Sequence, residues 1–208
     1  MLKNKGFTLV ELLIVIAILG VLSAAVVLVL NPAELLNQAR DSTRASDMST
    51  LSSAVNLYLT DKVGPDMNAA GAVNDADCPL DVYSTALPAT NSFAVRGNVP
   101  PAVAPDVNGK NFTIPAAADL QKTGGTGWLP IIFTDISAGS PLSVLPIDPT
   151  NTGDLVYRYG CDNTSKTYEV NAKFESTKYG ATGLNLSGKD GGDNATFYEI
   201  GNDPGLDF

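Results

Sequence analysis

The chain has 208 residues, of which 44% are hydrophobic and 17% are charged, and this composition argues against bulk disorder. It contains no histidine, which excludes Ser-His-Asp and Cys-His catalytic centres and the HExxH type of zinc site. The formal net charge is −9, from 13 Lys and Arg against 22 Asp and Glu. Because no basic run interrupts this acidity, direct binding of nucleic acid is not expected.

The N-terminal segment joins a short basic stretch to a long apolar run. Lys3 and Lys5 precede residues 7–30, where Glu11 is the only charge. As a helix this run measures roughly 36 Å, enough to cross a hydrocarbon layer of ~30 Å with some tilt. No basic residue follows before Arg40. The positive-inside rule therefore predicts residues 1–6 in the cytoplasm and most of the chain outside.

Three interpretations of this run compete. It could be a secretory signal cut after Ala25, a plain membrane anchor, or a processed helix that packs against copies of itself. The apolar part of a signal peptide usually has about 7–15 residues, fewer than here. A carboxylate such as Glu11 costs about 2.5–3.5 kcal/mol at the bilayer centre and less near its surface, and a plain anchor has no use for it. The third interpretation is favoured.

A cut after Gly6 would give Glu11 a cationic partner. Phe7 would then carry a new α-amine about one helical turn from the carboxylate, and the amine of an offset neighbouring copy could serve equally well. A buried carboxylate that must find one cation fixes the register between otherwise featureless apolar helices.

The hexapeptide from Gly6 to Glu11, followed by its apolar run, resembles the class III signal of type IV pilins and type II secretion pseudopilins, over about residues 1–60. The resemblance implies that a prepilin peptidase cleaves after Gly6 and methylates Phe7, that Glu11 assists assembly, and that the helix forms the core of a homopolymer. It also implies an assembly ATPase and an inner-membrane platform. Many relatives have a proline inside the run, whereas here Pro32 follows it, which predicts a break around residues 30–33.

Residues 31–62 are predicted to continue as a stem helix that ends before Gly64 and Pro65. Apolar residues recur at three- and four-residue spacings and predict a stripe that packs on a sheet. Charged residues are expected mostly on other faces, either solvated or in contact with a neighbouring stem. The stripe comprises Leu35, Ala39, Met48, Leu51, Val55 and Leu59, and the charged set comprises Arg40, Asp41, Arg44 and Asp47.

Residues 63–150 hold 11 of the 13 prolines and are predicted to be a variable, loop-rich region. Short structure is expected only at residues 116–122, as a helical turn, and at 129–133, as an edge strand or buried turn. Residues 151–208 are predicted to form an antiparallel sheet with strands at 155–159, 167–174 and 195–200. The predicted fold is α+β, a pilin-like lollipop with a long N-terminal helix packed on a small sheet.

Two further sites are predicted in the C-terminal half. Cys78 and Cys161 could form a disulfide outside the membrane, closing a loop of about 84 residues and contributing on the order of 4–5 kcal/mol, with two free thiols as the alternative. Asp190 and Asp193 lie on a Gly-rich acidic turn that suits calcium and is similar to the calcium loop of major pseudopilins, with a solvated acidic turn as the alternative. No other cofactor is expected.

The sequence therefore predicts a structural subunit rather than an enzyme. It is expected as a single-pass inner-membrane protein, in contact with lipid, and then as part of a cell-surface filament. Asp148-Pro149 is similar to pseudopilins, although Thr150 and Asn151 replace the usual aromatic and glycine. The alternatives are the major pseudopilin of a type II secretion system, or a membrane-tethered, calcium-dependent binding module that never polymerises. An enzyme released after Ala25 has no catalytic constellation behind it.

Overall fold

A computed structural model describes residues 6–67, 82–83, 118–203 and 205 of the chain. Within these residues the structure has helices α1 (Leu9–Leu30) and α2 (Pro32–Asp61), four strands, and a 3-10 helix (Phe133–Asp135) between the first and second strands. The strands pair antiparallel in the order β1-β2-β3-β4. The predicted α+β class, a long N-terminal helix with a small antiparallel sheet, is confirmed. The strands are β1 (Val82–Tyr83), β2 (Arg158–Asp162), β3 (Thr167–Ala172) and β4 (Tyr198–Gly201).

One residue separates the two helices. Asn31 has left-handed backbone angles, φ 40° and ψ 75°, and its side chain accepts a hydrogen bond from the backbone N–H of Glu34 at 3.4 Å. Asparagine tolerates this conformation and is a favoured N-cap, and Pro32 fits the first helical position because its missing N–H has no partner there. The predicted break at residues 30–33 is confirmed and is confined to a single residue.

Helix α2 packs on the sheet through its C-terminal two thirds. Met48, Leu51 and Val55 are fully buried, in one cluster with Tyr168 and Val170 of β3. The prediction is therefore correct for this part of the stripe, with Leu59 partly buried at its edge. We call the described part of the chain that follows α2, through the end of the sheet, the head.

The first part of the predicted stripe is wrong. Leu35 is 51% exposed and Ala39 is also exposed, whereas Asp41 and Arg44, predicted on other faces, are fully buried. The inward face of α2 thus changes from charged to apolar along its length. The reason is that the part of the head facing the first turns of α2 offers ionic and backbone partners rather than an apolar surface.

The hairpin of β2 and β3 has the predicted turn but begins later than predicted. Thr152 and Leu155 exchange backbone hydrogen bonds of 3.2 and 3.1 Å around Gly153, which has φ 59°, so this segment forms its own tight turn. The strand therefore runs from Arg158 to Asp162 rather than over 155–159. Strand β4 likewise begins at Tyr198 rather than at residue 195.

The described part of the predicted loop region contributes a large share of the core. Trp128 is fully buried, and its indole N–H donates to the carbonyl of Pro146 at 2.9 Å. Residues 129–133 form a buried turn with one bridge, Ile132 to Gly124, and no edge strand. Within the predicted turn at 116–122, the backbone N–H of Lys122 donates to the carbonyl of Asp119 at 2.9 Å. Residues 116 and 117 lie outside the described part of the chain.

Candidate functional site

The bond predicted to be cleaved lies where helix α1 has not yet begun. Gly6 and Phe7 are exposed and precede the first helical residue, Leu9, and the Phe7 side chain is 79% exposed. A peptidase needs an accessible segment outside regular structure, and this segment fits that requirement. Residues 1–5 lie outside the described residues.

Glu11 completes a capping box at the start of α1. One of its carboxylate oxygens, Oε2, accepts from the backbone N–H of Thr8 at 2.9 Å and from the Thr8 hydroxyl at 2.7 Å. In return, Thr8 Oγ1 accepts from the backbone N–H of Glu11 at 3.2 Å. Such reciprocal bonds satisfy donors that the first turn of a helix leaves open. The acidic side chain singled out by sequence is therefore held within its own chain, and Oε2 is the oxygen that is held.

Helix α1 has no packing partner among the residues that the structure describes. Residues Leu9–Val27 are long and apolar enough to cross a membrane, and none of this stretch is buried against the rest of the protein. The core helix of a soluble domain can be equally long and apolar, but it would be mostly buried. A signal sequence near the N-terminus can also be this long and apolar. The helix thus presents an apolar surface on all sides, with one carboxylate near its start.

A buried ion cluster ties α2 to the segment before the sheet. Arg44 is fully buried and contacts Asp148 through Nε at 2.7 Å and through Nη2 at 2.8 Å. Its Nη1 contacts Asp41 at 2.7 Å and Glu175 at 2.6 Å. Burial disfavours the guanidinium cation, but the bonds to Asp148, Asp41 and Glu175 outweigh burial and raise the pKa of Arg44. The cluster is a structural clamp, which corrects the prediction of a solvated helix face.

Backbone N–H groups of residues 175–178 bind two carboxylates of α2. Asp41 accepts from the N–H of Ser176 at 2.7 Å and from that of Glu175 at 3.0 Å. About two turns earlier, Glu34 accepts from the N–H of Thr177 at 2.9 Å and from its hydroxyl at 2.7 Å. The bonds from Thr177 are the main cause of the lowered pKa of Glu34. The head is therefore fixed to α2 from its first turn.

Sequence reasoning missed this clamp for an identifiable reason. Asp41 and Arg44 show an i,i+3 spacing, which is also typical of a weak surface pair. The partner that decides their burial, Asp148, is 104 positions from Arg44. The sequence indicates Asp148-Pro149 as a motif, and the contact of Asp148 with Arg44 gives this aspartate a structural role.

Of the two cysteines, only Cys161 lies among the residues that the structure describes. Cys161 lies in β2, is 3% exposed and is disulfide-bonded. Cys78 lies outside the described residues, so its pairing with Cys161 stays a prediction.

The acidic turn predicted for calcium is held by its own hydrogen bonds. Asp190 Oδ1 accepts from the N–H of Gly192 at 3.1 Å, and Oδ2 accepts from the N–H of Glu199 at 2.8 Å. Asp193 is exposed. Among the residues that the structure describes, no group of three or more acidic or cysteine side chains is arranged to hold a metal. Calcium binding at Asp190 and Asp193 stays a prediction.

Glu199 is the buried acid beneath this turn. Its side chain accepts from the N–H of Asn194 at 3.1 Å and is 2% exposed. Burial, followed by the charges of Glu169 and Asp190, raises the pKa of Glu199 to about 7. A Cβ at Gly192 would clash with Glu199 Oε2, so the turn lies directly over this carboxyl, and a side chain here would require one of the two to shift.

The comparisons with known proteins agree with the geometry of the N-terminus. A family described as "Prokaryotic N-terminal methylation motif" matches residues 1–27. The N-terminal region of the chain is thus similar to that of the type IV pilin and pseudopilin family. The chain is also 39% identical over 75 residues to the type IV major fimbrial protein FimA of Dichelobacter nodosus, and these residues are 36% of this chain and 47% of that protein. The chain thus matches about half the length of this curated relative. No solved structure matches the chain.

These findings confirm the resemblance inferred from Gly6 to Glu11. The chain has both a methylation motif and an apolar N-terminal helix. They do not distinguish a pilus from a pseudopilus. The clamp does not distinguish a pilus from a pseudopilus either, since Asp148 is buried and contacts Arg44 within the same chain.

Proposed function

We propose that this protein is the structural subunit of an extracellular filament of the type IV pilus kind and that it polymerises through helix α1. The observation that carries the proposal is the complete exposure of an apolar helix attached to a well-packed head. An apolar surface of this length has to be covered by lipid or by other protein. Transfer from the bilayer to neighbouring α1 helices exchanges one apolar environment for another, so its free-energy cost is small.

Glu11 gives the polymer its register. Thr8 occupies Oε2 of the carboxylate, so Oε1 is the oxygen available for a second partner. After cleavage behind Gly6, the α-amine of Phe7 in an adjacent subunit supplies a cation. An apolar interface that contains one carboxylate and one amine per subunit is stable only when the two meet.

The remaining partners follow from the same proposal. A prepilin peptidase processes the Gly6–Phe7 bond and methylates the amine, and an ATPase with an inner-membrane platform drives extraction from the lipid. The subunit starts as a single-pass inner-membrane protein with residues 1–6 in the cytoplasm and ends in a surface filament.

Replacement of Glu11 by alanine tests the proposal. We expect the Glu11→Ala chain to insert in the membrane and keep a folded head, and to form no filaments visible by negative-stain electron microscopy. The matched control is Asp154→Ala, which removes a half-exposed carboxylate whose partner in the head is Lys173. Normal filaments from Glu11→Ala, or no filaments from the unaltered chain in its host, would contradict the proposal.

A membrane-tethered calcium-binding module is the second candidate. It is favoured by the acidic turn that carries Asp190 and Asp193 above the buried Glu199. Calorimetric titration of the detergent-solubilised chain with calcium distinguishes the two. Binding that disappears in Asp190→Asn together with Asp193→Asn, in a chain that never polymerises, would favour this second function.

A further inference from the structure

We propose that the loop of residues 176–189 binds the head groups of anionic phospholipids in the membrane that α1 spans. The inference rests on the membrane-inserted form of the subunit in the proposed function, and it adds a lipid contact made by the head itself. We call residues 176–189 the basic loop, because they contain Lys178 and Lys189 and no acidic residue. The chain as a whole has a net charge of −9, so the loop differs in sign from the rest of the protein.

The basic loop is attached to the first turn of α2. Glu34 accepts from the backbone N–H groups of Thr177 and Lys178 at 2.9 and 3.4 Å, and from the Thr177 hydroxyl at 2.7 Å. Along a helix axis, Glu34 lies about 6 Å beyond Leu30, the last residue of α1. The head-group layer on each side of the hydrocarbon core is about 5–7 Å thick. With α1 across the core, the basic loop therefore lies at the depth of the lipid head groups.

Three exposed side chains of the basic loop lie next to one another. The backbone N–H of Leu184 donates to the carbonyl of Lys178 at 2.7 Å, and the ammonium group of Lys189 donates to the carbonyl of Leu184 at 2.9 Å. Leu184 is 48% exposed, and both lysines are exposed. An exposed leucine between two lysines suits the surface of a bilayer, because the leucine reaches the acyl chains while the ammonium groups stay among the phosphates.

Neither lysine of the basic loop pairs with a carboxylate among the residues that the structure describes. The ammonium group of Lys178 lies 5.0 Å from the ring centre of the half-buried Tyr179, and that of Lys189 contacts a carbonyl. Three other lysines of the chain each pair with an aspartate, namely Lys62, Lys122 and Lys173. The charge of the basic loop is thus available to a phosphate, and tyrosine is a residue type enriched at membrane surfaces.

The acidic head of another copy is the competing partner for two lysines. The depth of the basic loop favours lipid, since head groups surround this level of a subunit that has not yet assembled. The acidic residues on either side of the loop have their own partners. Glu175 pairs with Arg40 at 3.0 Å and with Arg44 at 2.6 Å, and Asp190 accepts from two backbone N–H groups of its turn. The leucine between the lysines also requires an apolar partner, which the acyl chains supply.

Tryptophan fluorescence of the full chain in lipid vesicles tests the inference. Leu184→Trp places a reporter in the basic loop, and Trp128, the single native tryptophan, is fully buried and gives a constant background. We expect lipids brominated high on one acyl chain to quench the new tryptophan in phosphatidylcholine vesicles that contain about 30% phosphatidylglycerol. Val63→Trp is the matched control and should not be quenched, because Val63 is 97% exposed and lies about 50 Å from the end of α1 along the helix axis.

Removal of the two positive charges tests the part played by the lysines. In the Leu184→Trp chain, Lys178→Gln together with Lys189→Gln should lower the ratio of bound to free loop, measured by this quenching, on the order of tenfold. Vesicles of phosphatidylcholine alone should give the unaltered lysines no such advantage. Lys62→Gln together with Lys166→Gln removes the same charge beyond the far end of α2 and should leave the quenching unchanged.

Quenching of Leu184→Trp that does not exceed that of Val63→Trp would overturn the inference, as would equal quenching with and without phosphatidylglycerol. Photo-crosslinks from residue 184 to the head of another copy, without quenching in vesicles, would assign the loop to contacts between subunits. Failure of the proposed function is distinct from these results. A chain that inserts and shows the expected quenching but forms no filaments would contradict the proposed function alone, and a chain that does not insert would contradict both.

Discussion

Arg44 and Asp148, 104 residues apart in the chain, form a buried bidentate ion pair. The Nε–Oδ2 distance is 2.7 Å and the Nη2–Oδ1 distance is 2.8 Å. This pair joins helix α2 to the segment that leads into the sheet. Together with Asp41 and Glu175, it replaces the apolar contact that the rest of α2 makes with the head. One guanidinium group thus holds several of the contacts between the first turns of α2 and the head.

Removal of the guanidinium should destabilise the head strongly. Arg44→Met leaves Asp41 and Asp148 buried without their cation, and the loss of one partner of a buried pair typically costs about 3–5 kcal/mol. We expect a decrease of that size in the free energy of unfolding, measured by urea denaturation of the solubilised chain followed by Trp128 fluorescence.

Arg40 provides the comparison for this prediction. It also contacts Glu175, at 3.0 Å, but its side chain is 35% exposed. We expect Arg40→Met to cost far less than Arg44→Met, since water replaces much of the lost contact. Equal effects of the two substitutions would show that burial of Arg44 does not determine its contribution.

The turn over Glu199 should not tolerate a side chain at Gly192. In Gly192→Ala the new methyl would clash with Glu199 Oε2, so the turn or the buried carboxyl has to move. We expect a loss of about 1–3 kcal/mol in the free energy of unfolding, in the range of overpacking. Gly124→Ala is the control, because no atom lies within 4 Å of its Cβ position, and it should be near neutral. A neutral Gly192→Ala would mean that the turn does not close on Glu199.

The stability of the head should fall as the pH rises from 5 to 8. The pKa of Glu199 is raised to about 7, whereas an unfolded glutamate titrates near its model value of 4.5. In this window the folded state holds a proton that the unfolded state has released, so stability is lost as the pH rises through the folded pKa. The shift corresponds to at most about 3 kcal/mol.

Thermal unfolding at pH 5 and pH 8 measures this dependence. Glu199→Gln keeps a neutral side chain at all pH values and should flatten the difference between the two melting temperatures. Hydrogen bonds from Thr177 lower the pKa of Glu34. Arg40 and Arg44 outweigh burial and lower the pKa of Glu175. Both glutamates therefore remain ionised throughout this window and do not contribute to the difference. An unchanged pH dependence in the Gln variant would exclude Glu199 as its source.

The features that depend on local sequence could be predicted. The apolar run with Glu11, the break at Asn31 and Pro32, and the hairpin around Asp162 each follow from neighbouring residues, and all three are present. The motif at Gly6 to Glu11 was also specific enough to indicate the family that the comparisons support.

The features that depend on distant partners could not be predicted. Nothing near Asp41 and Arg44 shows that Asp148 and residues 175–176 will bury them. Likewise, Leu145 lies in a proline-rich stretch without strand or helix periodicity, yet it is fully buried in the core. Periodicity detects a face that meets an apolar surface, and it does not detect a face that meets ionic or backbone partners.

Processing at the predicted bond is the central claim, and mass spectrometry of the native N-terminus tests it most directly. We expect mature protein purified from its host to begin at Phe7 and to carry one methyl group on its α-amine. A mature chain that begins at Met1 would indicate a plain anchor, and one that begins at Val26 would indicate secretion. Either result would contradict the account.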